Sequence, residues 1–86
     1  MKTKKIKEII RIVMFIKEIK GTEIAEKCSF SYTALRNYIT KKSTSMTFEH
    51  IVEIMNAIEF PLAITLILSE KEYSRKELIE QILKVI

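Results

Sequence analysis

TEIAEKC (residues 22–28), then SF (29–30), then SYTALRNYITKK (31–42): the reading of this stretch decides the fold. Ile24 and Ala25 form the inward pair of a short first helix, and the small Ala25 lets a second helix cross close by. Leu35, Tyr38 and Ile39 recur at i, i+3 and i+4, which puts them on one face of a second helix. Ser31 stands where its hydroxyl oxygen can accept an orphan N–H of that helix's first turn. Ser29-Phe30 leaves room for nothing but a turn. Two helices joined in this way make a helix-turn-helix, a motif whose second helix can sit in the DNA major groove.

Upstream, residues 4–19 read as a helix, with Ile6, Ile9, Ile10, Val13 and Ile16 at helical spacing and Ile12 and Ile19 widening the apolar face. Lys4, Lys7, Glu8, Arg11 and Glu18 gather opposite, where Phe15 intrudes. The apolar arc exceeds the ~100° stripe of an ordinary surface helix, so this helix packs against several neighbours or faces a partner chain. Apolar residues around most of the circumference favour a core helix over one lying on a membrane. Gly21 falls where a helix C-terminus wants a residue tolerant of positive φ, and Thr22 is expected to cap the next helix.

Downstream, Lys41, Lys42, Ser43, Thr44 and Ser45 read as a loop. Thr47 caps a helix over Phe48 to Glu59, whose apolar side is Ile51, Val52, Ile54, Met55 and Ile58. Leu62 to Leu68 is nearly all apolar and fits a buried helix or a strand; its length and Pro61 favour a helix with the proline in its first turn. SRKE (74–77) is a capping-box pattern opening a final amphipathic helix to Ile86, with Leu78, Ile79, Ile82, Leu83 and Ile86 apolar. The expected architecture is all-α: a compact five-helix domain over residues 1–68, with an additional C-terminal helix over 69–86 as a dimerisation or packing extension.

Length and charge narrow the function. Eighty-six residues make one small domain, which buries little more than the ~60% of its surface typical of a 60-residue chain. An apolar content of 48% with one Gly and one Pro excludes a linker and hints at burial between subunits. Residues 1–42 carry eleven Lys/Arg against four Glu, whereas residues 43–86 carry four against seven. The basic half holds the helix-turn-helix, the asymmetry expected of a nucleic-acid face; a generic lysine-rich surface is the bland alternative. The single Cys28 and the lack of a signal peptide point to a reducing cytoplasm, and no apolar run approaches the ~18 residues of a membrane span.

The succession Ile24-Ala25-Glu26-Lys27-Cys28, Phe30-Ser31, Leu35, Tyr38, then Phe48 through Ala57-Ile58-Glu59-Phe60-Pro61-Leu62, resembles the Xre/Cro-type helix-turn-helix repressors over about residues 5–68. Ser29 and Glu59 stand where that family usually carries glycine, and the glutamine that often opens the motif is missing at Gly21-Thr22. The resemblance implies a recognition helix at about 31–41 with Tyr32, Thr33, Arg36 and Asn37 facing the major groove. Arg can bridge guanine O6 and N7, and Asn adenine N6 and N7. Thr33 would meet a thymine methyl or a phosphate, and Tyr32 either backbone or base. Lys41, Lys42, Ser43 and Thr44 would hold the phosphate backbone, with Thr22 and the helix N-terminus behind it donating to another phosphate.

Catalysis finds no support. His50 is the only histidine, aspartate is absent, and no glycine-rich loop is present; His50 reads as exposed, and Cys28 and the methionines as apolar filler. Metal binding lacks a second histidine or a cysteine pair, and no cofactor is expected. The sequence therefore reads as a double-stranded-DNA-binding transcriptional regulator, expected to be a cytoplasmic homodimer. Leu62, Leu66, Leu78, Ile82 and Ile86 are the expected contacts between copies. A protein-interaction module on the same fold, such as an antitoxin or phage-encoded inhibitor, is the first rival, and architectural DNA binding the second.

Overall fold

The computed structural model describes residues 3–41 and 46–86. Thr3–Lys17 forms α1, Gly21–Glu26 α2, Tyr32–Thr40 α3, Phe48–Ala57 α4, Leu62–Ser69 α5 and Arg75–Leu83 α6. The protein is all-α, with no strand among the described residues. Leu62–Ser69 is a helix and not a strand; Pro61 is its N-cap, one position ahead of the first turn expected for it, and the Pro61 carbonyl accepts the Thr65 N–H at 3.1 Å. Ser31 and Thr47 cap α3 and α4 through their side-chain oxygens, and Ser74 with Glu77 forms the reciprocal box that opens α6.

The breadth of the apolar arc on α1 has a simple cause: α1 is the central helix, packed against α3, α5 and α6. Ile6, Ile9, Ile10, Ile12 and Val13 are all buried there, joined by Ile24 of α2, Leu35 and Ile39 of α3, Ile51, Ile54 and Met55 of α4, and Leu68 of α5. Leu78 and Ile82 of α6 belong to the same core and are shut off from solvent within the single chain. They were expected between two copies; instead α6 spends its apolar face on α1, and the radius of gyration, 11.8 Å, matches the ~12 Å of one compact domain of this length. Leu62 and Leu66 are half-buried against this core, and only Ile86 of the five expected contacts is exposed.

The junction between α1 and α2 departs from the sequence reading. Gly21 does not end α1; it is the first residue of α2, and its φ is not positive. Lys20, not Thr22, is the N-cap of α2, and it makes no side-chain cap bond. The left-handed residue that stops α1 is Glu18, with φ 55°, and Glu59 stops α4 in the same way with φ 52°. In both, the next N–H reaches back five residues, from Ile19 to the Met14 carbonyl at 2.9 Å and from Phe60 to the Met55 carbonyl at 3.1 Å. A side chain in this region costs roughly 1–2 kcal/mol, so each turn must be held from outside.

Lys17 supplies that hold at the second turn. Its ammonium donates to the Ile58 carbonyl at 2.9 Å and the Glu59 carbonyl at 2.7 Å, satisfying orphan carbonyls at the end of α4. Lys17→Met is therefore expected to destabilise by about 1–2 kcal/mol. Glu59→Gly acts on the same turn with the opposite sign, raising stability by roughly 0.5–1 kcal/mol once the added freedom of the unfolded chain is subtracted. Thermal unfolding of the two variants checks both: at about 4–8 °C per kcal/mol in a domain this small, the shifts are resolvable, and equal signs would contradict the assignment.

The α6 cap gives a pH signature. Hydrogen bonds from the Ser74 backbone and then its hydroxyl hold the Glu77 carboxyl below the usual glutamate range. A folded-state pKa below the unfolded one means the cap's contribution is complete above about pH 4.5 and is lost as pH falls through the lower folded value. Glu77→Gln is expected to lose that part of the acid dependence, as read by helicity at pH 2–5 relative to wild type.

Candidate nucleic-acid interface

α3 divides cleanly by face. Leu35 and Ile39 are buried, Ala34, Asn37 and Tyr38 are half-buried, and Tyr32, Thr33, Arg36 and Thr40 are exposed. Exposed positions 33, 36 and 40 follow helical spacing, so they form one outward stripe with Tyr32 at its N-terminal end. Asn37 lies on the flank of that stripe, and its carbonyl accepts the Lys41 N–H that closes the helix. Lys41 is exposed beyond it. Lys42, Ser43 and Thr44, expected to hold phosphates, lie outside the described residues.

The turn between α2 and α3 runs over residues 27–31, longer than the Ser29-Phe30 expected. It is pinned by Glu53 of α4, whose two carboxylate oxygens accept from the Ser29 N–H at 2.8 Å and the Ser29 hydroxyl at 2.9 Å. Serine at the turn is thus used for its hydroxyl. Phe30 then seats against Tyr38 and His50 with ring centroids 5.5 and 5.0 Å away, and Tyr38 and His50 are 4.8 Å apart. His50 is accordingly half-buried in an aromatic cluster joining the turn, α3 and α4, not simply exposed, and its Nδ1 is buried without a partner. Cys28 lies past the end of α2, half-buried; burial and then the nearby Glu53 carboxylate push its thiol up, away from the reactive thiolate.

The C-terminal end of α3 is held from α1. Arg11 donates through Nη1 to the Ile39 carbonyl, and the buried Lys7 donates through Nζ to the Lys41 carbonyl at 2.7 Å. Burial, and then the neighbouring Arg11 guanidinium, lower the Lys7 ammonium below the ordinary lysine range. Both residues belong to the side of α1 opposite its isoleucines, and both fix the axial position of α3. Arg11 remains exposed and stands with Tyr32 and Arg36 around a depression of about 300 Å³ floored by Met14, Leu35 and Ile39. A second depression, of about 330 Å³, lies on the seam between α2 and α3 and brings Thr22 beside Tyr32.

Arg11 is the member that sequence reasoning missed. The available signal was compositional: arginine occurs three times against twelve lysines, and its planar fork suits bidentate contact with oxyanions where lysine offers a point charge. Among the described residues, no three His, Cys, Asp or Glu side chains converge as a metal site would require. Among the described residues, no helix is long and apolar enough to cross a membrane. No family model matches the chain, and comparison with curated proteins and with solved structures returns no match.

Gly21 packs close to a side chain of α3. A Cβ built there would come within 2.8 Å of Tyr32 Cε1, so the glycine makes room for the tyrosine ring. Tyr32 is 47% exposed and can swing out, which makes the clash inexpensive. Gly21→Ala is therefore expected to keep or slightly raise the melting temperature, since alanine gains up to about 1 kcal/mol of helix propensity, while displacing Tyr32. Ring proton shifts of Tyr32 by NMR report the displacement; an unmoved ring with a stability loss above about 1 kcal/mol would contradict it.

Proposed function

We propose that the chain is a helix-turn-helix DNA-binding protein that reads double-stranded DNA with α3 and acts as a transcriptional regulator. The supporting observation is the outward stripe of α3: Tyr32, Thr33 and Arg36 exposed together, followed by exposed Lys41, on a helix whose other face is locked into the core. A helix that presents side chains to base edges must hold its axial position, and Lys7 and Arg11 do this at one end while Glu53, through Ser29, pins the turn that leads into the other. Arg36 reads a guanine, Thr33 a thymine methyl or a phosphate, and Lys41 a phosphate. Asn37 lies on the flank of the stripe, half-buried.

The regulator works as a homodimer in this reading. Ile67, Leu83 and Ile86 are each at least half exposed, an apolar surplus that a second copy would cover. Two-fold pairing would set two α3 helices on half-sites about 34 Å apart. The exposed apolar residues also support the second reading, a protein-interaction module, and Phe15 at 85% exposure favours it most. The module reading requires binding that survives loss of Arg36.

Selection of bound sequences from random duplex DNA, with affinity followed against salt, separates these readings. A short inverted repeat with a steep salt slope is expected. Arg36→Ala should then relax preference at one position at a cost of about 1–3 kcal/mol, and Lys41→Ala should weaken all sequences alike and reduce the salt slope by about one. Uniform weak binding, or none at low salt, would overturn the regulator reading.

A further inference from the structure

The depression between α1 and α3 holds more than a DNA contact needs. Its floor is apolar, formed by Met14, Leu35 and Ile39, and its rim carries two guanidiniums, Arg11 and Arg36, together with the Tyr32 ring. Among the described residues, no carboxylate lines it. Arg11 is aimed by its bond to the Ile39 carbonyl, which engages one of its five N–H donors. Its volume, about 300 Å³, falls at the lower end of small-molecule sites, which pair an apolar lining with a few convergent polar groups. A nucleic-acid phosphate would use the rim and leave the floor idle.

We propose that this depression binds a small amphipathic oxyanion, a compact apolar body bearing one carboxylate. The carboxylate lies between Arg11 and Arg36, where planar forks match its two oxygens, and the apolar body covers Met14, Leu35 and Ile39 beside the Tyr32 ring. Arg36 and Tyr32 are also members of the outward stripe of α3, so the occupant withdraws them from DNA and acts as an inducer. That coupling rests on the proposed DNA reading; the site itself does not.

Benzoate is the probe, added to the uniformly 15N-labelled full chain without DNA and at matched ionic strength. Saturable shifts confined to the amides of Gly21, Tyr32, Arg36 and Thr40 are expected, with Kd on the order of a millimolar for so small a ligand. Benzamide, which keeps the ring and lacks the charge, should bind about tenfold more weakly, and Arg36→Gln should weaken benzoate by about tenfold. Arg36 is exposed, so that variant keeps the fold. Unsaturable or scattered benzoate shifts, equal binding of benzamide, or inorganic phosphate binding as tightly as benzoate would each overturn the proposal. In a second arm, saturating benzoate should weaken binding to a selected duplex at constant salt. Unchanged affinity for that duplex would overturn the inducer role, and failure to select any duplex would count against the DNA reading alone.

Discussion

Everything in this domain hangs on one buried helix whose cations must find oxygen. α1 carries isoleucines and Val13 into the centre of the core, so the basic residues interspersed with them cannot all sit in open solvent. They end on main-chain carbonyls of other segments: Lys5 on Tyr73, Lys7 on Lys41, Arg11 on Ile39, and Lys17 on Ile58 and Glu59. Helix C-termini leave four carbonyls unsatisfied and carry the negative end of the helix dipole, which makes them natural acceptors for long cationic side chains. One helix thereby fastens the ends of α3 and α4 and the approach to α6. Removing α1 would take the centre of the core and these latches together.

That constraint changes what the charge of the chain means. A basic N-terminal half reads as an electrostatic face, yet several of its cations are engaged inside the fold. Among the described residues, the cations that remain outward along α3 and at its ends are Lys27, Arg36 and Lys41, with Arg11 both latched and exposed. Local geometry, not net charge, therefore selects the surface on which the functional reading stands. The same economy appears at the α2–α3 turn, where Glu53 engages Ser29 and the aromatic cluster of Phe30, Tyr38 and His50 fills the space behind it.

Local sequence determined much of this protein because the physics is local. Ser31, Thr47 and the Ser74–Glu77 box mark helix starts, since a cap bond spans three residues. Apolar spacing placed Leu35 and Ile39 inward and left Tyr32, Thr33 and Arg36 outward, since helical periodicity fixes which side chains share a face. The all-α class followed from the same periodicity with only one glycine and one proline.

Tertiary structure alone decided the rest, and in each case because the partner lies far along the chain. Gly21 packs close to Tyr32, eleven residues on, and Glu18 and Glu59 occupy left-handed turns that a sequence reading would have given to glycine. Leu78 and Ile82 looked like an interface because amphipathicity shows that a face is buried without showing against what; α1 is what covers them. Arg11 joined Arg36 at one depression only through the packing of α1 on α3. Periodicity tells which face of a helix turns inward; only the assembled core tells which neighbour receives it, and which side chains meet at the seam.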